Sequence, residues 1–357
     1  MMLPEARREH IVDEAQRLGM VRVGELSAAL GVTQVTIRRD LAELTAAGVL
    51  RRVHGGAAPA ATGPSATAPS ATAPSATGRS IGMVVPSLRH IWPDVVQGAR
   101  EECATRGLRL VLRGSTYEST DDRDHIGHLL DSSDVAGLVL APREDSPATA
   151  ETLDWLAERG VPAVLVERDA FTSGRVRAES VLTDHSNGTA SAIHHLADLG
   201  HRRIGLVVTT GSPHAGRVRQ GWRDALTGLG LPAGFSREFA SIEDADITQI
   251  ITDALDAGVT ALVTNGDFEA IALAQHCQAH GIGVPQRLSI VAYNDEVAAL
   301  FNPPLTAVQT PRTSLGRTAV ALLADRLADP SRPRFHVTIS PRLVVRDSTA
   351  RPPDLPS

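Results

Sequence analysis

Lysine does not occur in this chain, so all 35 basic residues are arginine. That removes the Gly-x-x-x-x-Gly-Lys phosphate loop, whose lysine reaches the outer phosphates of a nucleotide. Cysteine is nearly missing too. Cys103 and Cys277 stand far apart in stretches of helical character, which excludes a disulfide framework. No apolar run approaches the roughly 18 residues that a membrane helix needs. The N-terminus carries Glu5, Arg7, Arg8 and Glu9 where a signal peptide would have an apolar core. The expectation is a cytoplasmic protein with no membrane partner. Neither a Gly-x-Ser-x-Gly elbow nor a His-Glu-x-x-His helix is present. His194 and His195 are adjacent, so they point to different helix faces and make a poor metal pair. His201, within Gly-His-Arg-Arg, reads as a turn organiser. No enzymatic activity, cofactor or metal is expected. The net charge of -6 argues against general coating of nucleic acid, so any contact with DNA must come from a local patch.

Such a patch is present near the start. With 357 residues the chain has room for two or three domains, and residues 1–56 read as the first. Pro4 to Leu18 has helical periodicity, with Ile11, Val12, Ala15 and Leu18 on one stripe, and Gly19 stops it. Val21-Arg-Val23 is a short extended piece, Glu25 to Leu30 a second helix, and Gly31-Val32 a tight turn. Thr33 can cap a third helix that offers Gln34, Thr36, Arg38 and Arg39 outward, with Val35, Ile37, Leu41 and Leu44 packing beneath. Helix, glycine turn, helix is the helix-turn-helix arrangement. Its early polar side chains suit base edges, and its guanidinium groups suit phosphates. After Gly48, an alternating strand carries Arg51, Arg52 and His54 and turns at two glycines, as a β-wing along a phosphate backbone would. Asp40 needs a different role, because an acid on this face would repel phosphate. It is expected to orient an arginine or to pack the helix.

From Arg7 to Gly56 the sequence resembles the winged helix-turn-helix head of DeoR-type bacterial repressors. The resemblance rests on Arg7, Ile11, Thr33-Gln-Val-Thr-Ile-Arg-Arg-Asp-Leu41 and the trailing Arg-Arg-Val-His-Gly-Gly56. It implies a double-stranded operator as partner and places Gln34, Thr36, Arg38 and Arg39 on the recognition surface. The full candidate DNA-contact set is Thr33, Gln34, Thr36, Arg38, Arg39, Arg51, Arg52 and His54.

Residues 57–79 are nearly all Ala, Thr, Pro, Ser and Gly, with Pro64, Pro69 and Pro74 each opening a Pro-Ser-Ala-Thr repeat. This composition cannot bury apolar surface, and it reads as an extended tether reaching up to ~70 Å.

Residues 80–350 alternate strand and helix, first from Ser80 to about Thr183 and again from Asp184. That rhythm demands parallel sheets covered on both faces, and two such blocks suggest two similar lobes. Ligands of open parallel sheets bind at the carboxyl ends of the strands, so a cleft between facing lobes is the expected site.

Four stretches here resemble the effector domains of LacI-type regulators: Asp184-His-Ser-Asn-Gly188, Leu199-Gly-His-Arg-Arg-Ile-Gly205, Gly281-Ile-Gly-Val-Pro285 and Pro303-Pro-Leu-Thr-Ala-Val-Gln-Thr-Pro311. The fold this implies is α/β and two-lobed, like the periplasmic binding proteins, with two parallel-sheet Rossmann-like lobes and three crossings between them. Lobe 1 would hold 80–183 and 312–334, lobe 2 would hold 184–311 and 335–346, and 351–357 would be a tail. The family's effector positions fall on Ser87, Ile91, Trp92, Arg168, Asp184, Arg217, Arg219, Asp267 and Asn294. Arg217 and Arg219 compete for one position, because neither has the usual spacing to Gly221.

Together these features imply a transcriptional regulator that represses a carbohydrate operon, binds a sugar-like effector, and works as a homodimer that could pair into a tetramer. Two alternatives stay open: a regulator with a nucleoside or purine-like effector, and a solute-binding transport or chemosensory protein, against which the N-terminal head counts. Family members normally carry a hinge that folds into the minor groove, and this chain has the Pro-Ser-Ala-Thr tether in its place. For the head, Arg38→Ala and Arg39→Ala should each weaken operator binding by about 1–3 kcal/mol where the arginine contacts a base. A gel-shift titration in which both variants match the parent would defeat the assignment.

Overall fold

The computed structural model describes residues 7–8, 11–12, 14–15, 21–30, 32–46, 50–53, 56–59 and 79–353, apart from 89, 115–122, 133, 144–145, 170, 173–174, 177 and 242–245. His54 and residues 60–78 of the tether lie outside this set, as do the side chains of Gln34, Val35, Arg38, Arg51 and Arg52. The chain divides into two compact units, residues 1–74 and 75–357.

In the first unit, β1 (Val21–Arg22) leads into the helix Val23–Leu30, and the helix Gln34–Ala46 follows. β2 (Leu50–Val53) and β3 (Gly56–Pro59) then form an antiparallel hairpin, and β3 also pairs with β1. The wing strand thus extends to Pro59, beyond the boundary placed at residue 56. The reason is that Ala57 is buried and Gly56 to Pro59 match Val53 to Leu50 residue for residue. Ile11, Ala15, Val21, Leu26, Ile37, Leu41, Leu44, Leu50 and Ala57 make a small core.

The second unit holds two six-stranded sheets. Lobe 1 contains β4 (Ser80–Val85), β5 (Arg109–Gly114), β6 (Val135–Leu140), β7 (Ala163–Val166), β10 (Glu179–Thr183) and β16 (His336–Ile339). A short hairpin, β8 (Phe171–Thr172) with β9 (Arg175–Val176), stands between β7 and β10 in the chain. Lobe 2 contains β11 (Ile204–Thr209), β12 (Ser236–Phe239), β13 (Ala261–Thr264), β14 (Ser289–Asn294), β15 (Thr306–Gln309) and β17 (Arg342–Val344). The orders are β5-β4-β6-β7-β10-β16 and β12-β11-β13-β14-β15-β17, so each lobe places its strands in the same sequence order. Within the two six-stranded sheets every pairing is parallel except β15 with β17.

Alternate residues of the central strands serve opposite faces. In β4, Ile81, Met83 and Val85 enter one core while Val84 enters the other. In β11, Val207 enters one core of lobe 2 while Leu206 and Val208 enter the other. Burial on both faces is why these strands read as unbroken apolar runs.

The chain crosses between lobes after β10, after β15 and after β16. The third crossing corrects the boundaries given above, because β16 pairs in parallel with β10, from Ser180 opposite His336 to Thr183 opposite Ile339. Residues 336–339 therefore belong to lobe 1, and the chain passes to lobe 2 at Ser340 and Pro341. Beyond β17 the chain stays packed on lobe 2. His201 is buried between Thr260 Oγ1 at 2.8 Å and the Ala350 carbonyl at 2.9 Å, so it organises its turn and also holds the C-terminal segment.

Lobe 1 depends on one close helix crossing. The helices Trp92–Thr105 and Arg312–Ala328 meet at Gly98 and Gly316. A Cβ at Gly98 would lie 2.0 Å from the Thr313 carbonyl oxygen, and one at Gly316 would lie 1.9 Å from that of Val95. Those neighbours are backbone and cannot step aside as a side chain can. Gly98→Ala or Gly316→Ala should therefore cost about 1–3 kcal/mol through forced separation of the helices. Gly127→Ala, in a helix with open space around it, should be neutral or slightly stabilising. Urea midpoints of the three variants test this, and an unchanged midpoint for Gly98→Ala would refute the close packing.

Candidate functional site

The first unit presents one helix built for exposure on one side only. Thr33 Oγ1 accepts from the Thr36 amide at 3.3 Å, the first-turn cap that the sequence anticipates. Ile37, Leu41 and Leu44 face inward, whereas the Arg39 side chain is 83 % exposed. Arg39 Nε lies 3.3 Å from Glu43 one turn on, and Glu43 also accepts from Arg8. Asp40 is buried and takes two hydrogen bonds from Arg7, from Nε at 2.6 Å and from Nη2 at 3.2 Å. The acid therefore faces inward and fastens this helix to Arg7, which is a packing role. The same pair explains why the Arg7 guanidinium is held above its ordinary range by the Asp40 hydrogen bond, despite its burial.

In the second unit, a cavity of about 280 Å³ lies between the lobes. Its lining falls just beyond the carboxyl ends of strands in both sheets. His90, Ile91 and Trp92 follow β4, and Glu167 and Arg168 follow β7. From the other side come residues after β11 (Ser212 and His214), after β13 (Asn265, Phe268 and Glu269) and after β14 (Glu296). Both sheets have their first strand between the second and third, so the chain leaves in opposite directions there and a crevice opens, the usual place for a ligand.

Backbone strain concentrates here. Among the described residues, non-glycine positive φ occurs at His90 (54°), Glu167 (56°), Asn294 (84°) and Asp295 (59°), and the first three line the cavity. Asp295 is fixed from all sides, by Arg346 Nη1 at 2.8 Å, Arg346 Nη2 at 2.9 Å and Gln309 Nε2 at 2.8 Å. Arg312, at the head of a lobe 1 helix, donates to the Asn294 carbonyl and pairs with Asp94 at 2.9 Å. It thereby links the two lobes beside the cleft.

The cavity floor is a buried polar chain. Glu167 accepts from the Thr183 hydroxyl and from His185 Nε2 at 3.2 Å. His185 Nδ1 lies 3.2 Å from the Tyr293 hydroxyl. The His214 ring stacks on His185 at 4.5 Å with an interplanar angle of 14°. His214 Nε2 is 3.0 Å from the Asn265 carbonyl, so that nitrogen carries the proton and donates, leaving Nδ1 to accept from Ser212. Burial works to raise the Glu167 carboxyl, but the His185 bond and charge and the Thr183 hydroxyl outweigh it and hold the group below its ordinary range. Burial, then repulsion from His185, pushes His214 down, so it stays neutral.

The sequence-derived effector positions divide. Ile91, Trp92, Arg168 and Asn294 line the cavity. Trp92 is only 1 % exposed and belongs to the lobe 1 core, with Arg168 6.0 Å above its ring, so it is not an open stacking face. Ser87 is not part of the lining. Asp184 caps the helix His185–Asp198 by accepting from the Asn187 amide at 2.9 Å. Asp267 gathers the amides of Asp295, Glu296, Val297 and Ala298 at 2.6–3.2 Å and so clamps the turn after β14. Arg219 turns to Glu238 at 2.6 Å, on the edge strand β12. Arg217 reaches across to lobe 1, 3.8 Å from Asp169. Sequence reasoning missed Glu167, His185, His214, Phe268, Glu269 and Glu296. All follow strand ends, the one rule that would have found them. Phe268, 52 % exposed, is the aromatic face available at the cleft.

The floor has a pH consequence. For Glu167 and His214 alike the folded protein binds a proton less readily than the unfolded chain. Below the ordinary histidine value of 6.5 the unfolded state therefore holds more protons, and stability falls as pH falls. Thermal midpoints should decline from pH 7 toward pH 5, and His214→Asn should flatten the decline. An equally steep decline in that variant would count against the coupling.

Comparison with known proteins gives a consistent picture. The family model for a periplasmic binding protein-like domain matches residues 193–349, and that for a DeoR-like helix-turn-helix domain matches residues 7–62. An uncharacterized HTH-type transcriptional regulator from the aml 5' region of Streptomyces limosus is 32 % identical over 282 residues, covering 76 % of this chain and 79 % of the relative. The structure of a complex of the transcriptional regulator CelR with cellobiose superposes with a TM-score of 0.65 at 25 % identity, covering 76 % of this chain and 85 % of that one. A LacI family transcriptional regulator from Mycobacterium smegmatis superposes with a TM-score of 0.62 at 27 % identity, over 76 % of this chain and all of the other. Among the described residues, no helix is long and apolar enough to cross a membrane.

Proposed function

The chain belongs to the LacI-type transcriptional regulators and carries a DeoR-like helix-turn-helix head, and from that premise we propose that it represses a carbohydrate operon under the control of a sugar held between its lobes. The observation that carries the effector reading is the cavity at the strand ends of both sheets, because a ligand there touches both lobes at once. Its chemistry suits a hydroxylated ring. Asn294, Glu269, Glu296 and Ser212 provide donors and acceptors in fixed positions, and the face of Phe268 covers an apolar side. The cellobiose complex of CelR supports the same ligand class.

On the DNA side, Gln34, Thr36, Arg38 and Arg39 read the major groove, and Arg51, Arg52 and His54 hold phosphates along the wing. Two copies of the chain pair to present two heads to an inverted repeat. Effector binding favours one arrangement of the lobes and so changes how the heads are placed. The protein acts in the cytoplasm, where the chromosome is, and its output is binding without catalysis. Calorimetry with a panel of neutral sugars and nucleosides, followed by gel shifts with whichever compound binds, tests the reading. A sugar that binds and shifts operator affinity supports it. Binding of nucleosides alone would replace the ligand class, and no binding from either class would remove the cleft as the effector site.

A further inference from the structure

The charge around the cavity decides more about its ligand than its shape does. Three carboxylates line it, Glu167, Glu269 and Glu296, against a single guanidinium among the described residues, Arg168. Arg168 is buried, and two of its nitrogens donate to backbone carbonyls, Nε to Pro142 at 2.6 Å and Nη1 to Glu167 at 2.7 Å. His214 is kept neutral by burial, His185 serves Glu167 and Tyr293, and His90 stands 3.8 Å from Glu296. The chain has no lysine, and the other guanidinium groups beside the cleft are tied to its own groups, Arg312 to Asp94 and the Asn294 carbonyl and Arg217 to Asp169.

The helix starts around the cleft agree. A helix N-terminus is ordinarily a ready site for phosphate. Here three of them already hold the chain's own acids: Asp94 in the first turn of Trp92–Thr105, Asp184 capping His185–Asp198, and Asp267 with Glu269 at the start of Asp267–Ala279. Glu269 is kept in place by the Thr209 hydroxyl at 2.7 Å. The fourth, Ala215–Gly228, starts behind His214, whose ring is committed to the Asn265 carbonyl.

We propose that the cleft is a filter for charge, accepting an uncharged, hydroxyl-rich effector and rejecting the phosphate ester of the same molecule, with Glu269 and Glu296 as the rejecting residues. The inference rests on the effector reading above and narrows it. A phosphoryl group near these carboxylates meets like charge at short range, while Arg168, Arg312 and Arg217 are already engaged by the chain's own carbonyls and acids, and the repulsion costs more than the ester's extra hydrogen bonds return. The regulator would therefore respond to a sugar before a kinase acts on it, and the phosphorylating step would end the response.

Calorimetry of the full chain with matched pairs tests this: glucose with glucose 6-phosphate, cellobiose with cellobiose 6-phosphate, ribose with ribose 5-phosphate, and adenosine with adenosine 5'-monophosphate. In any pair that binds, the ester should be weaker on the order of a hundredfold. Glu269→Gln and Glu296→Gln should each narrow that gap roughly tenfold, and added salt should narrow it in the parent by screening. An ester that binds as tightly as its neutral partner, or more tightly, overturns the filter while leaving the effector reading intact. If no member of any pair binds, the effector reading falls and the filter with it.

Discussion

A buried carboxylate at the cavity floor sets the arrangement of the cleft. Glu167 leaves lobe 1 at a residue with positive φ, and its charge is tolerable only because Thr183 and His185 are placed to satisfy it. His185 opens the first helix of lobe 2, so the bond spans the first crossing between lobes. Through it the Tyr293 hydroxyl and the stacked His214 ring are fixed, and His214 in turn anchors on the backbone at the end of β13. A ligand entering the cavity meets a floor already ordered by these contacts, which limits the entropy lost on binding. Any movement of one lobe against the other must keep this bond or break it at the cost of a buried charge.

The architecture was legible in the sequence because its signals are local. Runs such as Ser80-Ile-Gly-Met-Val-Val85 announce strands buried on both faces, and Thr33 announces the helix it caps. The effector residues were harder, because a side chain's role depends on what stands opposite it after folding. Asp184 and Asp267 are acids at the right places in the chain. Each spends its oxygens on backbone amides, a local use that competes with ligand binding and that spacing cannot rule out. Trp92 has the right position, but its ring is taken up by the core. Glu167 went unnoticed beside the more familiar Arg168, although the two are neighbours on the same strand end. The misplaced third crossing has a similar cause, because β16 is a short, half-exposed edge strand with little apolar pattern.

The two lobes share one strand order, and each relies on glycine where helices touch. Gly98 and Gly316 do this in lobe 1, and in lobe 2 a Cβ at Gly221 would meet the Ser186 carbonyl at 2.3 Å. At each of these contacts backbone meets backbone, with no room for a side chain. Arg312 joins Asp94 of lobe 1 to the Asn294 carbonyl of lobe 2, and Arg217 reaches Asp169 in the opposite sense. These polar links join the two lobes beside the cleft.

The pairing of Arg7 with Asp40 separates two kinds of electrostatics within one small head. Contacts from exposed arginines to a duplex displace counterions and fade steeply as salt rises. A bidentate pair shut away from solvent is screened far less. The helix Gln34–Ala46 therefore keeps its seat under ionic conditions that strip the head from its operator. Release into strong brine is then a parting of two intact partners, and dilution alone is enough to bring them together again.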